Sequence, residues 1–175
     1  TISDITISAG ATTGTASFTP TDDSIFEANE TGIVAIDSVS GADAAEDGTQ
    51  SVTITITNDD SAPTVTLSTS ATSIAENAGS SLTLTATLSN PTTADVTVGI
   101  STSGTGTEGT DYSTISDITI SAGATTGTAS FTPTDDSIFE SNETGIVAIS
   151  GVSGAYAAED GTQSVTITIT NDDSA

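Results

Sequence analysis

Apolar residues recur at every second position through a series of short runs, and Gly, Asn, Asp and Pro separate the runs. An extended backbone sends successive side chains to opposite faces, so this alternation predicts strands with one face buried and the other in water. The runs are VTLST at 65–69, SLTLTATLS at 81–89, DVTVGIST at 95–102, TISDITIS at 114–121, TGTASFTPT at 126–134, TGIVAIS at 144–150 and SVTITITN at 164–171. No stretch of similar length carries a helical apolar period with caps. Strands at this even spacing over about 110 residues predict an all-β, immunoglobulin-like antiparallel β-sandwich of about seven strands. The alternation directs Leu82, Leu84, Leu88, Val96, Val98, Ile100, Phe131, Val165, Ile167 and Ile169 inward, into an aliphatic core short of aromatic side chains.

The pattern repeats. Residues 1–62 align without gaps to 114–175 and differ only at Ala28/Ser141, Asp37/Ser150, Ser38/Gly151 and Asp43/Tyr156. The repeat is therefore 113 residues long, the size of a domain rather than of a solenoid rung. Its joint falls at Ser61-Ala62-Pro63, which makes 63–175 a complete unit and 1–62 the C-terminal half of its predecessor. The chain opens in mid-pattern, without a leader or a long apolar run, as an excerpt of a longer array would. Half a sandwich exposes strand edges and half a core. Residues 1–62 are accordingly expected to fold only with help, as a truncated domain or by pairing with strands of another copy in a filament or swapped dimer.

Charge changes the picture. The chain has 24 acidic residues and no Lys, Arg or His, so counter-charge must come from protons or dissolved cations. Two carboxylates about 4 Å apart repel by roughly 4 kcal/mol at an effective dielectric near 20, a serious cost for a marginally stable domain. Nucleic acid and anionic membrane would repel such a surface, so neither nucleic acid binding nor membrane insertion is expected. Without cysteine there is no disulfide framework and no thiolate ligation.

Strand direction sorts the acids. If consecutive strands run up and down, alternate connections share one end of the sandwich. One end then collects Glu76, Glu108, Asp111, Asp135, Asp136, Glu140, Glu143, Asp172 and Asp173, nine of the 13 acids of the complete unit. The opposite end holds 90–93, 121–127 and 151–163, with only Glu159 and Asp160 in its long loop. Calcium takes about six to eight oxygens in flexible geometry, which such loops can supply. Magnesium asks for a stricter octahedron, and zinc for His or Cys. Ca2+ is the expected cation.

The segments ENAGSSLTLTATLS, GTEGTDYS, TDDSIFESNET and SVTITITNDD together resemble a Calx-beta domain, a family found in sodium/calcium exchangers and in tandem in large bacterial surface proteins. The resemblance covers 63–175. It implies a calcium site built from Glu76, Asp111, Asp135, Asp136, Glu140, Glu143, Asp172 and Asp173, with the Ile138 carbonyl as a backbone ligand. Asn171 stands where strong binders carry a third consecutive acid. In the partial first repeat the counterparts are Asp22, Asp23, Ile25, Glu27, Glu30, Asp59 and Asp60, while the partners of Glu76 and Asp111 would precede residue 1.

Near-identical units favour a spacer over a unique binding surface. The expected function is a calcium-binding structural extender repeat of a large bacterial extracellular adhesin or surface filament, with neighbouring repeats as partners and calcium stiffening the joint. The alternative is an adhesive module that recognises a glycan, surface or sister cell through the opposite loops; a calcium-sensing regulatory module ranks below it. Paired carboxylates can serve glycoside hydrolysis, but without Trp there is no sugar platform, and no His or Lys is present to activate the many Ser and Thr. No enzymatic activity is expected.

Overall fold

Residues 2–174 are described by a computed structural model and divide into two compact units. The first runs to Asp23 and resumes at Glu27–Asn58; the second takes Ser24–Phe26 and everything from Asp59 onward. In the first unit, β1 (Glu30–Ala35) and β2 (Ser51–Ile56) form an antiparallel two-stranded sheet. The rest of that unit is irregular among the described residues.

The second unit carries two sheets. One has the order β10-β3-β5-β8, built from β3 (Thr64–Thr69), β5 (Leu82–Leu88), β8 (Thr126–Phe131) and the short β10 (Ala158–Glu159). The other has the order β4-β11-β9-β6-β7, built from β4 (Ser73–Ala75), β6 (Val96–Gly104), β7 (Ile118–Ile120), β9 (Glu143–Ser153) and β11 (Ser164–Thr170). Between the sheets lies one apolar cluster that includes Val65, Leu84, Val98, Ile118, Phe131, Val147 and Ile167. The chain is thus an all-β sandwich, and no helix among the described residues is long and apolar enough to cross a membrane.

Most alternating runs are strands, with differences that have local causes. TISDITIS contracts to Ile118–Ile120. Asp117 instead turns its carboxylate to the amide of Ile100 (2.9 Å), beside the irregularity between Gly99 and Ile100 where β6 slips against β9. TGTASFTPT ends as a strand at Phe131. Ser73–Ala75 is too short for its period to show in the sequence, yet it is a strand because it pairs in parallel with Thr168–Thr170. The sandwich of the second unit therefore begins in one sheet as β3 and crosses to the other as β4.

Of the predicted inward residues, Leu82, Ile100 and Val165 are only half-buried, at the margin of the core. The core also contains Tyr112, stacked on Phe131 with ring centroids 4.6 Å apart and planes 22° apart. Gly145 makes room for this pair, since a Cβ there would lie 2.7 Å from the Phe131 ring. One stacked aromatic pair thus plugs the acidic end of an otherwise aliphatic core.

Candidate metal centre

The acidic end is assembled by three devices. β4 delivers the first acid: Glu76 follows Ala75, and its amide donates to the Thr170 carbonyl at 3.0 Å, which continues the β4–β11 pairing. Glu76 is buried, 8 % exposed. A tight turn delivers the second. Asp111 accepts the Thr107 amide at 2.6 Å, its own amide returns to the Thr107 carbonyl at 2.9 Å, and its carbonyl accepts the Thr134 amide at 2.9 Å. The loop after β8 carries the rest. Asp136 accepts the Ile138 amide at 2.7 Å, a side-chain turn of the kind Asp favours.

Asn171 ties that loop to β11. Its side-chain carbonyl accepts the Glu140 amide at 3.0 Å and its NH2 donates to the Asp173 carbonyl at 2.9 Å, while its own amide donates to the Asn142 side chain at 3.2 Å. The position that departs from an all-acid terminus is a clamp. Asn77 similarly donates to the Asp172 carboxylate. Neither role is visible in the sequence, where both Asn residues read as turn formers.

Two groups of carboxylates result. Glu76, Asp172 and Asp173 each offer an oxygen within 4.8 Å of the others, and so do Asp111, Glu140 and Glu143. The groups adjoin, because Glu76, Asp111, Glu140, Glu143 and Asn171 line one small cavity of about 10 Å³, room for about one water-sized occupant. Asp135 and Asp136 stand outside both groups but close enough for their charges to be felt at Asp173. The Ile138 side chain is exposed, and its backbone lies in the Asp136 turn. Glu108, gathered to this end by strand parity, turns inward to Thr102 Oγ1 (2.6 Å) and the Ile115 amide (2.7 Å), so it closes its own loop.

Electrostatics mark the same residues. Burial, then the charges of Asp136, Asp172, Asp173 and Glu140, pushes the Glu76 carboxyl above the usual range. Burial, with Asp111 and Glu140 next, raises the Glu143 carboxyl. Burial followed by Asp172, Asp136 and Asp135 raises Asp173. The Asp173 Oδ2 atom is buried without a hydrogen-bond partner. A buried carboxylate oxygen normally has one, so this atom stands unanswered amid like charges.

In the first unit the counterparts Asp22, Asp23, Glu27 and Glu30 are exposed. The same clamp recurs there: the Glu27 amide donates to Asn58 and the Asn58 amide to Asn29, both at 3.0 Å. Ile25, Asp59 and Asp60 group with the second unit.

The architecture is that of a two-sheet β-sandwich module with an acidic end, fed by the first-strand crossover, a loop after the fifth predicted strand and the exit of the last strand, that offers oxygen atoms of the kind hard cations take. The Calx-beta domain profile matches residues 2–60 and again 58–174, so the chain belongs to the Calx-beta family, whose domains are calcium-binding β-sandwich modules. Among solved structures it is similar to the apo-form Calx CBD1 domain, at 18 % identity and TM-score 0.52, covering 63 % of this chain and 99 % of that one. It is also similar to CBD12 from CALX1.2, at 18 % identity and TM-score 0.52, over 62 % of this chain and 44 % of that one. These likenesses are of fold. No curated protein matches the chain.

Proposed function

We propose that this chain is a calcium-binding structural extender of a large extracellular adhesin or surface filament, of bacterial origin, in which 63–175 is a complete repeat and 1–62 the C-terminal half of another. The observation that carries the reading is the buried, unpartnered Asp173 Oδ2 beside Asp172 and Glu76, in a chain with no basic side chain to answer it. Glu76, Asp172 and Asp173 would hold one ion, and Asp111, Glu140 and Glu143 a second, with Asp135, Asp136 and the Ile138 carbonyl flanking them. Calcium supplies the positive charge that these carboxylates lack.

The residues' own arrangement gives the mechanical consequence. Asp172 and Asp173 follow β11 after Asn171 alone, so drawing them to Glu76, the residue after β4, fixes the direction in which the chain leaves the sandwich. An array of such units becomes stiffer, because the residues that carry the chain onward are no longer free to swivel. Extracellular calcium modules have dissociation constants of about 0.1–1 mM, and one site at about 100 times its constant adds roughly 2.7 kcal/mol to folding stability.

The test is thermal unfolding of the full chain in calcium and in chelator, beside the variant Glu76→Gln/Asp173→Asn. The wild type gains several degrees with calcium and the variant loses most of that gain; an unchanged midpoint in the wild type overturns the reading. Small-angle scattering on a tandem of complete repeats tests stiffening separately. A maximum dimension that does not grow with calcium would leave a calcium binder that is not an extender.

A further inference from the structure

The second unit takes in three residues of the preceding repeat, Ser24–Phe26. There the Phe26 ring meets the Tyr156 ring edge-on, with centroids 5.5 Å apart and planes 73° apart, one of the geometries aromatic pairs prefer. Phe139 is the same residue of the complete repeat, in the identical segment TDDSIFE. It is 59 % exposed, as is Ile138, whereas Phe26 and Ile25 are half-buried. The loop that carries the acids of the site thus ends in an apolar tip that the sandwich of its own repeat does not cover.

The other half of the contact is held out from its sandwich. Tyr156 lies in the turn between β9 and β10, where Ala155 and Tyr156 have positive φ, 48° and 58°, uncommon for residues with a Cβ. Ala155 and Ala157 pack at the margin of the core, and the Ala157 amide donates to the Gly154 carbonyl at 3.0 Å. The turn is pinned from both sides while the Tyr156 ring projects, 70 % exposed. Beside it the Ala158 amide donates at 3.1 Å to the carbonyl of Pro63, the fully buried residue at the joint. Pro63 follows the acidic exit residue Asp60 by three positions, at most about 10 Å of extended chain. The turn is also where the repeats exchange an aromatic residue for a carboxylate: Asp43, at φ 55°, holds the place of Tyr156.

We propose that the turn bearing Tyr156 is a socket for the site-loop Phe of the repeat ahead of it, and that the residue at this place sets which joints are latched. Tyr accepts the ring edge; Asp offers no ring and adds a charge beside an already acidic loop. Phe139 is the plug for a Tyr156-type turn of a further repeat. The proposal rests on the extender reading for the order of repeats, and not on calcium. Its mechanical sense is that an array mixing the two turns has firm and free joints in an order written by one position.

The test is nuclear magnetic resonance on the full chain with labelled aromatic rings, in calcium and in chelator. With two Tyr and four Phe in the chain, single substitutions assign every ring. Overhauser contacts are expected between the Phe26 and Tyr156 rings. Phe26→Ala and Tyr156→Asp remove them, Tyr156→Phe keeps a ring contact at Phe26, and Phe139→Ala leaves them unchanged. Amide exchange at 155–158 is expected to quicken about threefold or more in Phe26→Ala. A second protein carries another copy of 63–175 after Ala175, which restores the Ser-Ala-Pro joint. Its Phe139 is expected to contact the Tyr156 of the added copy, and Tyr156→Asp in that copy to abolish the contact. Absence of Phe26–Tyr156 contacts under both conditions overturns the proposal. So does a Phe139 ring in the lengthened chain that behaves alike with Tyr and with Asp at the turn. Either failure, with the calcium-induced rise in melting temperature intact, leaves the calcium reading standing. Ring contacts without that rise support the latch and overturn the calcium reading instead.

Discussion

Asn171 shows how much one side chain decides at the acidic end. It joins the Glu140 amide and the Asp173 carbonyl through two hydrogen bonds, while the backbone amide of the same residue reaches Asn142; each bond is worth about 0.5–1.5 kcal/mol net. Asn171→Ala should therefore lower stability by about 1–3 kcal/mol whether or not calcium is present, as measured by denaturant unfolding. Asn171→Asp should behave differently. It adds a charge to the cluster, so the midpoint in chelator falls while the gap between calcium and chelator widens. The raised carboxyls give a pH test at the same scale. The folded chain holds protons on Glu76, Glu143 and Asp173 at pH values where an unfolded chain has released them. Their contribution to stability is complete below the ordinary carboxylate pKa of about 4 and is lost as pH rises through the raised values. In chelator the protein should melt higher at pH 5 than at pH 7, and saturating calcium should remove or reverse that order, because ligation requires the protons to leave. A melting point in chelator that climbs with pH would contradict this electrostatic account.

At the scale of elements, β4 couples fold to site. It is three residues long, and Ile74 anchors it in the core just ahead of Glu76. Ile74→Ala should cost about 2–4 kcal/mol and also diminish the calcium-induced rise in melting temperature. Leu88→Ala, equally buried but in the other sheet on β5, should cost a similar amount and leave that rise intact. Gly145→Ala should push the Phe131 ring off its seat and destabilise by about 1–3 kcal/mol, with a change in near-ultraviolet circular dichroism as Tyr112 loses its stacking partner. These elements differ in how far the sequence revealed them. β5, β6 and β11 were legible because alternation over seven or more residues outlasts chance. β4 and β10 were not, since pairing with a distant strand makes them strands and no local pattern does. Tyr112 was legible only as part of a motif; that it plugs the core follows from the turn around Asp111, which folds it back toward Phe131.

Across the whole molecule, the two units should differ in local stability. Amides of β1 and β2 should exchange at least about a hundredfold faster than those of β9 and β11 under native conditions, since the first pair is covered by little else. Comparable protection would mean that the first unit's apolar face is already covered. The order of residues along the chain was enough for the class of fold, the 113-residue repeat, the lack of any basic side chain to answer the acids and, through strand parity, the end of the sandwich at which acids would gather. These depend on alternation, identity and composition, all of which are properties of the chain read in order. Which acids at that end face one another came from the folded arrangement: Glu76 with Asp172 and Asp173, Asp111 with Glu140 and Glu143, and Glu108 turned away to its own loop. Ile5, too, lies in water while the identical Ile118 lies in the core. Burial and ligation belong to a residue's neighbours, and in a β-sandwich those neighbours come from strands far away in the chain.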